Sequence, residues 1–279
     1  QFSMAAVDRE FRALLQDVCD ETRLTYFHTP LGALDGDRPS FASSRRYVET
    51  PRLESDNNYE VRFTENYVVY GESTEWGDAP PDSAETILYG HIVAVPTRDP
   101  ARATTIDVPH GVIRMERLGD DVVMTGYRDR RGLSVSHVDL SGAPRLANTL
   151  VLEGRFETEG RSHAFNATLN ADGGGALGLP TAVYDGDMNR FPWESDDSDV
   201  TVLTFDASGR FNFAGTLARG DEVDPGYTCE VSCVDWYGNA RPIFVAGRVL
   251  ALTGADLVEG ELRDGRIQER HRLDLTAQR

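Results

Sequence analysis

Three stretches of the chain carry residue types at spacings that could do chemistry. In "LSVSHVDLS" (133–141), Ser136, His137 and Asp139 are the parts of a nucleophilic triad, in which a histidine takes a proton from a hydroxyl and a carboxylate orients the histidine. In "DGDMNRFPWESDDSD" (185–199), Asp185, Asp187 and Asn189 stand at alternate positions and Asp196 follows, an oxygen-rich set of the kind that Ca²⁺ prefers. In "RSHAFNATLNADGGG" (161–175), His163 and Asn166 precede a glycine run. A fourth stretch, "CVDWYGNARP" (233–242), sets Trp236 and Tyr237 beside Asp235, a combination suited to stacking on a carbohydrate or contacting a protein.

The elements that must hold these residues decide between chemistry and structure. Side chains of a strand alternate between its faces, so Ser136 points away from His137 and Asp139 and the triad cannot assemble. Asp139 instead stands beside a Ser-Gly turn, where a carboxylate accepts main-chain N–H groups. The acidic loop departs from the EF-hand pattern, with Arg190 in place of the turn glycine and Asp196 in place of the long bidentate glutamate. Its carboxylates can bind calcium or simply be solvated, and Trp193 within it is a contact residue or a packing anchor. His163 opens a presumed strand and is either a packed structural histidine or, with Asn166, part of a ligand site. No helix follows "DGGG", so the glycines are read as a flexible turn and not as a phosphate cradle. Trp236 and Tyr237 suit packing between sheets as well as they suit a ligand.

Residues 5–20, "AAVDREFRALLQDVCD", place Val7, Phe11, Leu14, Leu15 and Val18 at helical spacing and predict a short N-terminal helix within 1–22. Residues 23–58, rich in Pro, Gly, Ser and Asp, read as an irregular linker or a partial blade, with a strand near "RRYVET". From residue 59 to 279 short segments of period 2 follow one another between Gly, Asp, Asn and Pro turns. An internal repeat orders them. "LSVSHVDLSGAPRLANTL" (133–150) overlays "VTVLTFDASGRFNFAGTL" (200–217) without a gap, matching Asp139 to Asp206, Ser141 to Ser208, Gly142 to Gly209 and Leu150 to Leu217. The second copy replaces Ser136 by Leu203 and His137 by Thr204 while keeping the aspartate, so the turn is what repeats. A weaker copy, "DLVEGELRDGRIQERHRL", sets Gly265 where Gly209 stands, and "LGDDVVMTG" (118–126) resembles "AGRVLALTG" (246–254). The unit is a β-propeller blade, and the length suits about four to five of them. Two packed antiparallel sheets are the alternative.

The blade motifs in "LSVSHVDLSGAPRLANTLVLEGRFETEGRSHAFNA", "DVTVLTFDASGRFNFAGTLAR" and "RPIFVAGRVLALTGADLVEGEL" resemble those of secreted bacterial and archaeal proteins with a C-terminal β-propeller domain distantly related to WD40 repeats. The resemblance covers residues 60 to 275 and implies an extracytoplasmic propeller; it brings no catalytic residues with it.

Composition narrows the function further. All 28 basic residues are arginine, against 46 acidic residues, for a formal net charge of −18. Lysine chemistry is therefore excluded, and so acidic a chain repels a nucleic-acid backbone. No apolar run approaches the length of a membrane helix. The first ten residues lack the basic start and apolar core of a secretory leader, so for an exported protein the leader would lie outside this sequence. Of three cysteines, Cys229 and Cys233 can bridge only if Glu230 to Ser232 form a turn, because four strand positions span roughly 13 Å; two reduced thiols are the other reading. The expectation is a non-enzymatic extracytoplasmic propeller that binds a protein or a carbohydrate. Its candidate ligand residues are His163, Asn166, Trp193, Trp236 and Tyr237, and its candidate calcium ligands are Asp185, Asp187, Asn189 and Asp196. The alternative is a propeller hydrolase or lyase acting on polysaccharide through axial carboxylates and His163.

Overall fold

The structure is a computed structural model that describes residues 2–7, 9–16, 24–34, 46–53, 59–72, 86–158, 164–183, 199–218, 220, 240–253 and 256–275. Those residues form five antiparallel sheets in chain order. Sheet 1 contains β1 (Phe2–Val7), β2 (Glu10–Gln16), β3 (Leu24–Pro30) and β4 (Arg46–Thr50). Sheet 2 contains β5 (Tyr59–Phe63), β6 (Tyr67–Glu72), β7 (Gly90–Pro96) and β8 (Thr104–Val108). Sheet 3 contains β9 (Arg114–Leu118), β10 (Asp121–Tyr127), β11 (Gly132–Asp139) and β12 (Arg145–Glu153). In sheet 4 the first position is shared by β13 (Arg155–Glu157) and β14 (Asn166–Leu169), which both pair with β15 (Gly175–Val183); β16 (Asp199–Phe205) and β17 (Phe211–Leu217) complete it. Sheet 5 contains β18 (Ala240–Val245), β19 (Arg248–Thr253), β20 (Asp256–Arg263) and β21 (Arg266–Asp274). Sheets that meander up and down four strands wide are propeller blades, and five of them match the expected fold class better than the two sheets of a sandwich.

The N-terminal helix is replaced by strands. Residues 2–16 form the β1–β2 hairpin, in which Val7 pairs with Glu10 and Ala6 with Phe11. A helix would bury one stripe of this segment, whereas the strand buries Ala13 and Leu14 on opposite faces at once. The reversal runs through Arg9 at φ 62°, a left-handed conformation that a non-glycine residue adopts at some cost. β3 and β4 lie within 23–58, the stretch read as a linker or partial blade.

The repeats mark fixed places in the sheets. The two Asp-x-Ser-Gly copies, and the weaker one at Gly265, each fall on the hairpin that joins the third strand to the fourth: β11–β12, β16–β17 and β20–β21. The other pair of similar segments each begins at the turn into a second strand, β10 or β19. Asp206 shows why the turn recurs. Its Oδ1 accepts hydrogen bonds from the Ser208 amide (2.9 Å), the Ser208 hydroxyl (2.5 Å) and the Arg210 amide (3.1 Å), so one side chain closes the loop.

The chain divides into two compact units, Gln1–Glu75 with Tyr89–Met124 and Val138–Leu146, and Trp76–Leu88 with Thr125–His137 and Ala147–Arg279. In the first unit the alternation of β6 and β7 sends Val68, Tyr70, Val93 and Val95 into a core with Leu14, Leu24 and Tyr26. The intervening Val69, Ile92 and Ala94 enter a second core with Met115, Val122 and Met124. Both faces of sheet 2 are thus buried. In the second unit Val200, Val202, Ala214 and Leu217 of sheet 4 pack on Val249, Ala251, Val258 and Ile267 of sheet 5. Close approach there depends on Gly178, where a Cβ would stand 2.4 Å from the Pro242 ring of β18. Among the described residues, no helix is long and apolar enough to cross a membrane.

Candidate functional site

Of the residues singled out for ligand or calcium binding, Asn166 is described; His163, Asp185, Asp187, Asn189, Trp193, Asp196, Trp236 and Tyr237 lie outside the described residues, as do the three cysteines. Asn166 is half-buried on β14 with both ends of its amide engaged. Its Nδ2 donates to the Pro242 carbonyl of β18 at 3.3 Å, and its Oδ1 accepts from the Ala167 amide at 2.9 Å. It stitches sheet 4 to sheet 5.

The would-be triad residues are each engaged in structure. Ser136 is buried and shares a 2.7 Å hydrogen bond with the Thr149 hydroxyl. His137 is buried edge-on to Phe211, with ring centroids 6.1 Å apart, and covers Gly209 of the neighbouring Asp-x-Ser-Gly turn. Asp139 accepts from the Ser141 hydroxyl at 2.6 Å and amide at 2.9 Å and pairs with Arg145. The Ser141 hydroxyl, above all, holds its carboxyl below the usual carboxylate range.

The Asp206 turn and the β20–β21 turn at Gly265 help to line a groove of about 570 Å³ in the second unit, between sheets 4 and 5. One wall is the β14–β15 hairpin. Its "DGGG" was expected to be flexible, but the loop is closed by Asp172, whose Oδ1 accepts from the Gly174 amide at 2.9 Å, and by the Asn170 amide, which donates to the Gly174 carbonyl at 2.8 Å. Asn170 is therefore held on a fixed loop with its side-chain amide uncommitted among the described residues. The hydroxyls of Thr168 and Thr204 on the adjoining strands are likewise uncommitted among them. Asp206 stands at the groove with its carboxyl held low, chiefly by the Ser208 hydroxyl. The opposite wall is apolar, with Phe244 and Val245 at the end of β18. Arg248 beside them is neutralised by two 2.7 Å hydrogen bonds to Glu259, which keep that carboxyl low. Such a surface can exchange hydrogen bonds with a hydroxyl-rich ligand and cover an apolar face of it. Among the described residues it is lined by no histidine or cysteine.

Sequence reasoning missed a second polar feature, arginine and glutamate at i and i+2 on the first strands. In the first unit, Arg62 of β5 grips Glu116 of β9 with two hydrogen bonds, Nε to Oε2 at 3.1 Å and Nη2 to Oε1 at 3.0 Å. Glu60 lies 3.4 Å from the Arg62 Nη1, and Arg114 lies 3.6 Å from Glu116. Burial pushes the Glu60 carboxyl up despite Arg62 beside it. In the second unit, Arg155 of β13 donates to the Thr181 hydroxyl at 3.0 Å and approaches Asp199 at 3.4 Å, while Glu157 accepts from the Thr125 hydroxyl at 2.6 Å. The Glu157 amide donates to the Tyr127 phenol, whose pKa is driven up by its burial. The signal was present as "EVR", "RME" and "RFE" in strand-like segments. Each of these charges meets an opposite charge or a hydroxyl, which makes them ties between strands. Among the described residues no group of three His, Cys, Asp or Glu side chains converges to hold a metal ion.

The fold and groove define an all-β protein of propeller-type sheets with a polar cleft between two of them. No protein-family model matches the chain, and no curated protein matches it. Among solved structures, a putative 6-phosphogluconolactonase from Bacteroides fragilis is similar at a TM-score of 0.41 and 11% identity, over 97% of this chain and 69% of that one. The β-propeller domain of the Trilobed protease from Pyrococcus furiosus, described as having an open velcro topology, gives 0.39 and 9% over 96% and 84%. A tryptophan-to-alanine mutant of Synechocystis apocarotenoid oxygenase gives 0.37 and 10% over 99% and 59%. Similarity at this level carries no information on what this chain binds or does.

Proposed function

We propose that the protein is a non-enzymatic, extracytoplasmic binding module that takes a glycan in the groove between sheets 4 and 5. The observation that carries this reading is the set of three uncommitted neutral polar side chains, Thr168 and Thr204 on strands and Asn170 on a tight turn, opposite the apolar wall of Phe244 and Val245. Neutral donors and acceptors at fixed spacing suit sugar hydroxyls, because they are not neutralised by partners and lose little freedom on binding. The arginine-only, strongly acidic composition and the resemblance to secreted propellers support a place outside the cytoplasm. Calcium at Asp185, Asp187, Asn189 and Asp196 belongs to the same proposal on the strength of residue type and spacing. Calorimetric titration with Ca²⁺ tests it, and a wild-type protein that gives no heat ends it.

The groove is tested with a panel of soluble polysaccharides and oligosaccharides, followed by calorimetry on each hit and by chromatography of the sugar after prolonged incubation. Binding without cleavage is expected, and Asn170→Ala is expected to weaken it at least tenfold. Cleavage of any sugar, or binding indifferent to both Asn170→Ala and Thr204→Val, overturns the reading.

A further inference from the structure

The first unit contains a crevice of about 590 Å³ between sheet 1 and the two loops of sheet 2 that follow β5 and β7. Its floor is Arg12, which is 4% exposed and is the cross-strand partner of His28. Both Nη1 hydrogens of Arg12 are spent on main-chain carbonyls, those of Thr64 at 2.9 Å and Glu65 at 2.8 Å, and Nε faces Glu10 at 3.4 Å. That arrangement bolts β2 to the β5–β6 turn. It uses three of the five guanidinium hydrogens and leaves Nη2 with no partner among the described residues. Beside it, the His28 ring lies flat on Tyr26, with centroids 5.4 Å apart and an interplanar angle of 15°. His28 Nδ1 is buried without a hydrogen bond among the described residues, 3.8 Å from Glu10 Oε1. Arg98, on the loop after β7, brings a second guanidinium to the crevice with no described partner.

A structural tie accounts for Nη1 and Nε, and it leaves Nη2 of this largely buried side chain open to the crevice with no partner among the described residues. A planar guanidinium with one nitrogen uncommitted is suited to a carboxylate or a phosphate. The walls choose between these. Glu10, Glu65 and Asp99 outnumber Arg12 and Arg98 around the crevice. The crevice is net acidic, so a dianion is repelled more than a monoanion, and a single carboxylate can lie on the arginines while neighbouring hydroxyls donate to the acids.

We propose that this crevice binds a polyhydroxylated monocarboxylate of the uronic-acid class, its carboxylate on Arg12 Nη2 and Arg98 and its hydroxyls on Glu10 and Asp99. The site is separate from the groove of the second unit and does not depend on that groove's ligand.

The test is calorimetry on the full chain with D-galacturonate, its neutral counterpart methyl galactoside, and inorganic phosphate. Galacturonate is expected to bind saturably and at least tenfold more tightly than either of the others. Arg12→Lys, which keeps the charge and loses the fork, and Arg98→Ala, on the exposed rim, are each expected to weaken it at least fivefold. Far-ultraviolet circular dichroism checks that each variant is folded; should Arg12→Lys unfold the chain, Arg98→Ala decides the matter. The proposal is overturned if galacturonate gives no saturable heat, if methyl galactoside or phosphate binds as tightly, or if the folded variants bind galacturonate as the wild type does.

Discussion

The two Asp-x-Ser-Gly turns look equivalent in sequence, yet their glycines should respond oppositely to alanine. At Gly142 a Cβ would meet nothing within 4 Å, and its φ is ordinary. At Gly209 φ is +74°, and a Cβ would stand 1.8 Å from Nδ1 and 2.1 Å from Cε1 of His137, a ring that is 5% exposed and cannot swing into solvent without leaving Phe211. Two costs therefore add in Gly209→Ala. Holding alanine in the left-handed region costs about 1 kcal/mol. Forcing a buried ring out of place costs about 1–3 kcal/mol, as overpacking does elsewhere. The sum of about 2–4 kcal/mol corresponds to a fall in melting temperature of roughly 5–15 °C at this chain length. Gly142→Ala should stay within about 0.5 kcal/mol of wild type. A His137→Ala background separates the two costs, because the clash disappears there and only the conformational part, about 1 kcal/mol, remains. Urea and thermal denaturation of the four variants and the wild type, followed by far-ultraviolet circular dichroism, measure all of these. The reasoning fails if Gly142→Ala costs as much as Gly209→Ala, or if His137→Ala leaves the cost of Gly209→Ala unchanged.

Two further predictions concern charge. Asp139 and Asp206 have folded-state pKa values below their unfolded ones, so their contribution to stability is present above pH about 4 and is lost as pH falls through the folded values. The double variant Asp139→Asn/Asp206→Asn should lower the urea midpoint at pH 6, with the difference from wild type shrinking below pH 4; a constant difference down to pH 3 contradicts the turn assignment. The two glutamates on Arg62 should also behave differently. Glu60 has its pKa raised by burial, so its charge is unfavourable in the folded state and Glu60→Gln should cost less than about 0.5 kcal/mol at pH 7. Glu116→Gln breaks a two-bond grip and leaves Arg62 and the buried Arg114 without their shared carboxylate, for a loss of about 2–4 kcal/mol by denaturation. Equal losses at the two positions would show that the grip geometry is not what matters.

The sheets were legible where their turns are written in local chemistry. Asp139 and Asp206 bind amides two to four residues on, so the turn needs no distant partner and its spacing repeats in the sequence. The N-terminal hairpin lacks such a signal. Its reversal passes through Arg9, which nothing in the sequence marks as a left-handed residue, and β2 buries Arg12, Ala13 and Leu14 in succession because both of its faces are covered. A strand buried on both sides loses its alternation, and Val7, Phe11, Leu14 and Leu15 then imitate a helical stripe. The candidate site was less legible for a related reason. Asn166 was chosen as a polar residue near glycines, but its neighbour across the sheets is the Pro242 carbonyl, a partner 76 residues away that no local pattern discloses. Four residues on, Asn170 is held in place by the Asp172–Gly174 closure, which is local and readable in the sequence.

The opposite-charge pairs at i and i+2 were readable in type and not in consequence. Residues two apart in a strand share a face but lie roughly 6.5–7 Å apart along it, so their contacts are stretched: 3.4 Å for Arg62 with Glu60 and for Arg12 with Glu10, 3.6 Å for Arg114 with Glu116. A guanidinium has five donors, and one strained contact satisfies at most one of them. The remaining donors need acceptors from another strand. Arg62 finds them at 3.0 and 3.1 Å on Glu116, and Arg12 finds carbonyls at 2.8 and 2.9 Å. Burial then ranks the contacts, since a short bond between desolvated partners outweighs a long one to a partly exposed acid. An arginine and an acid at i and i+2 on a buried strand face thus announce a tie to a neighbouring strand or turn. Where such a tie leaves a guanidinium nitrogen unspent at a crevice, as at Arg12, it announces a place for a ligand.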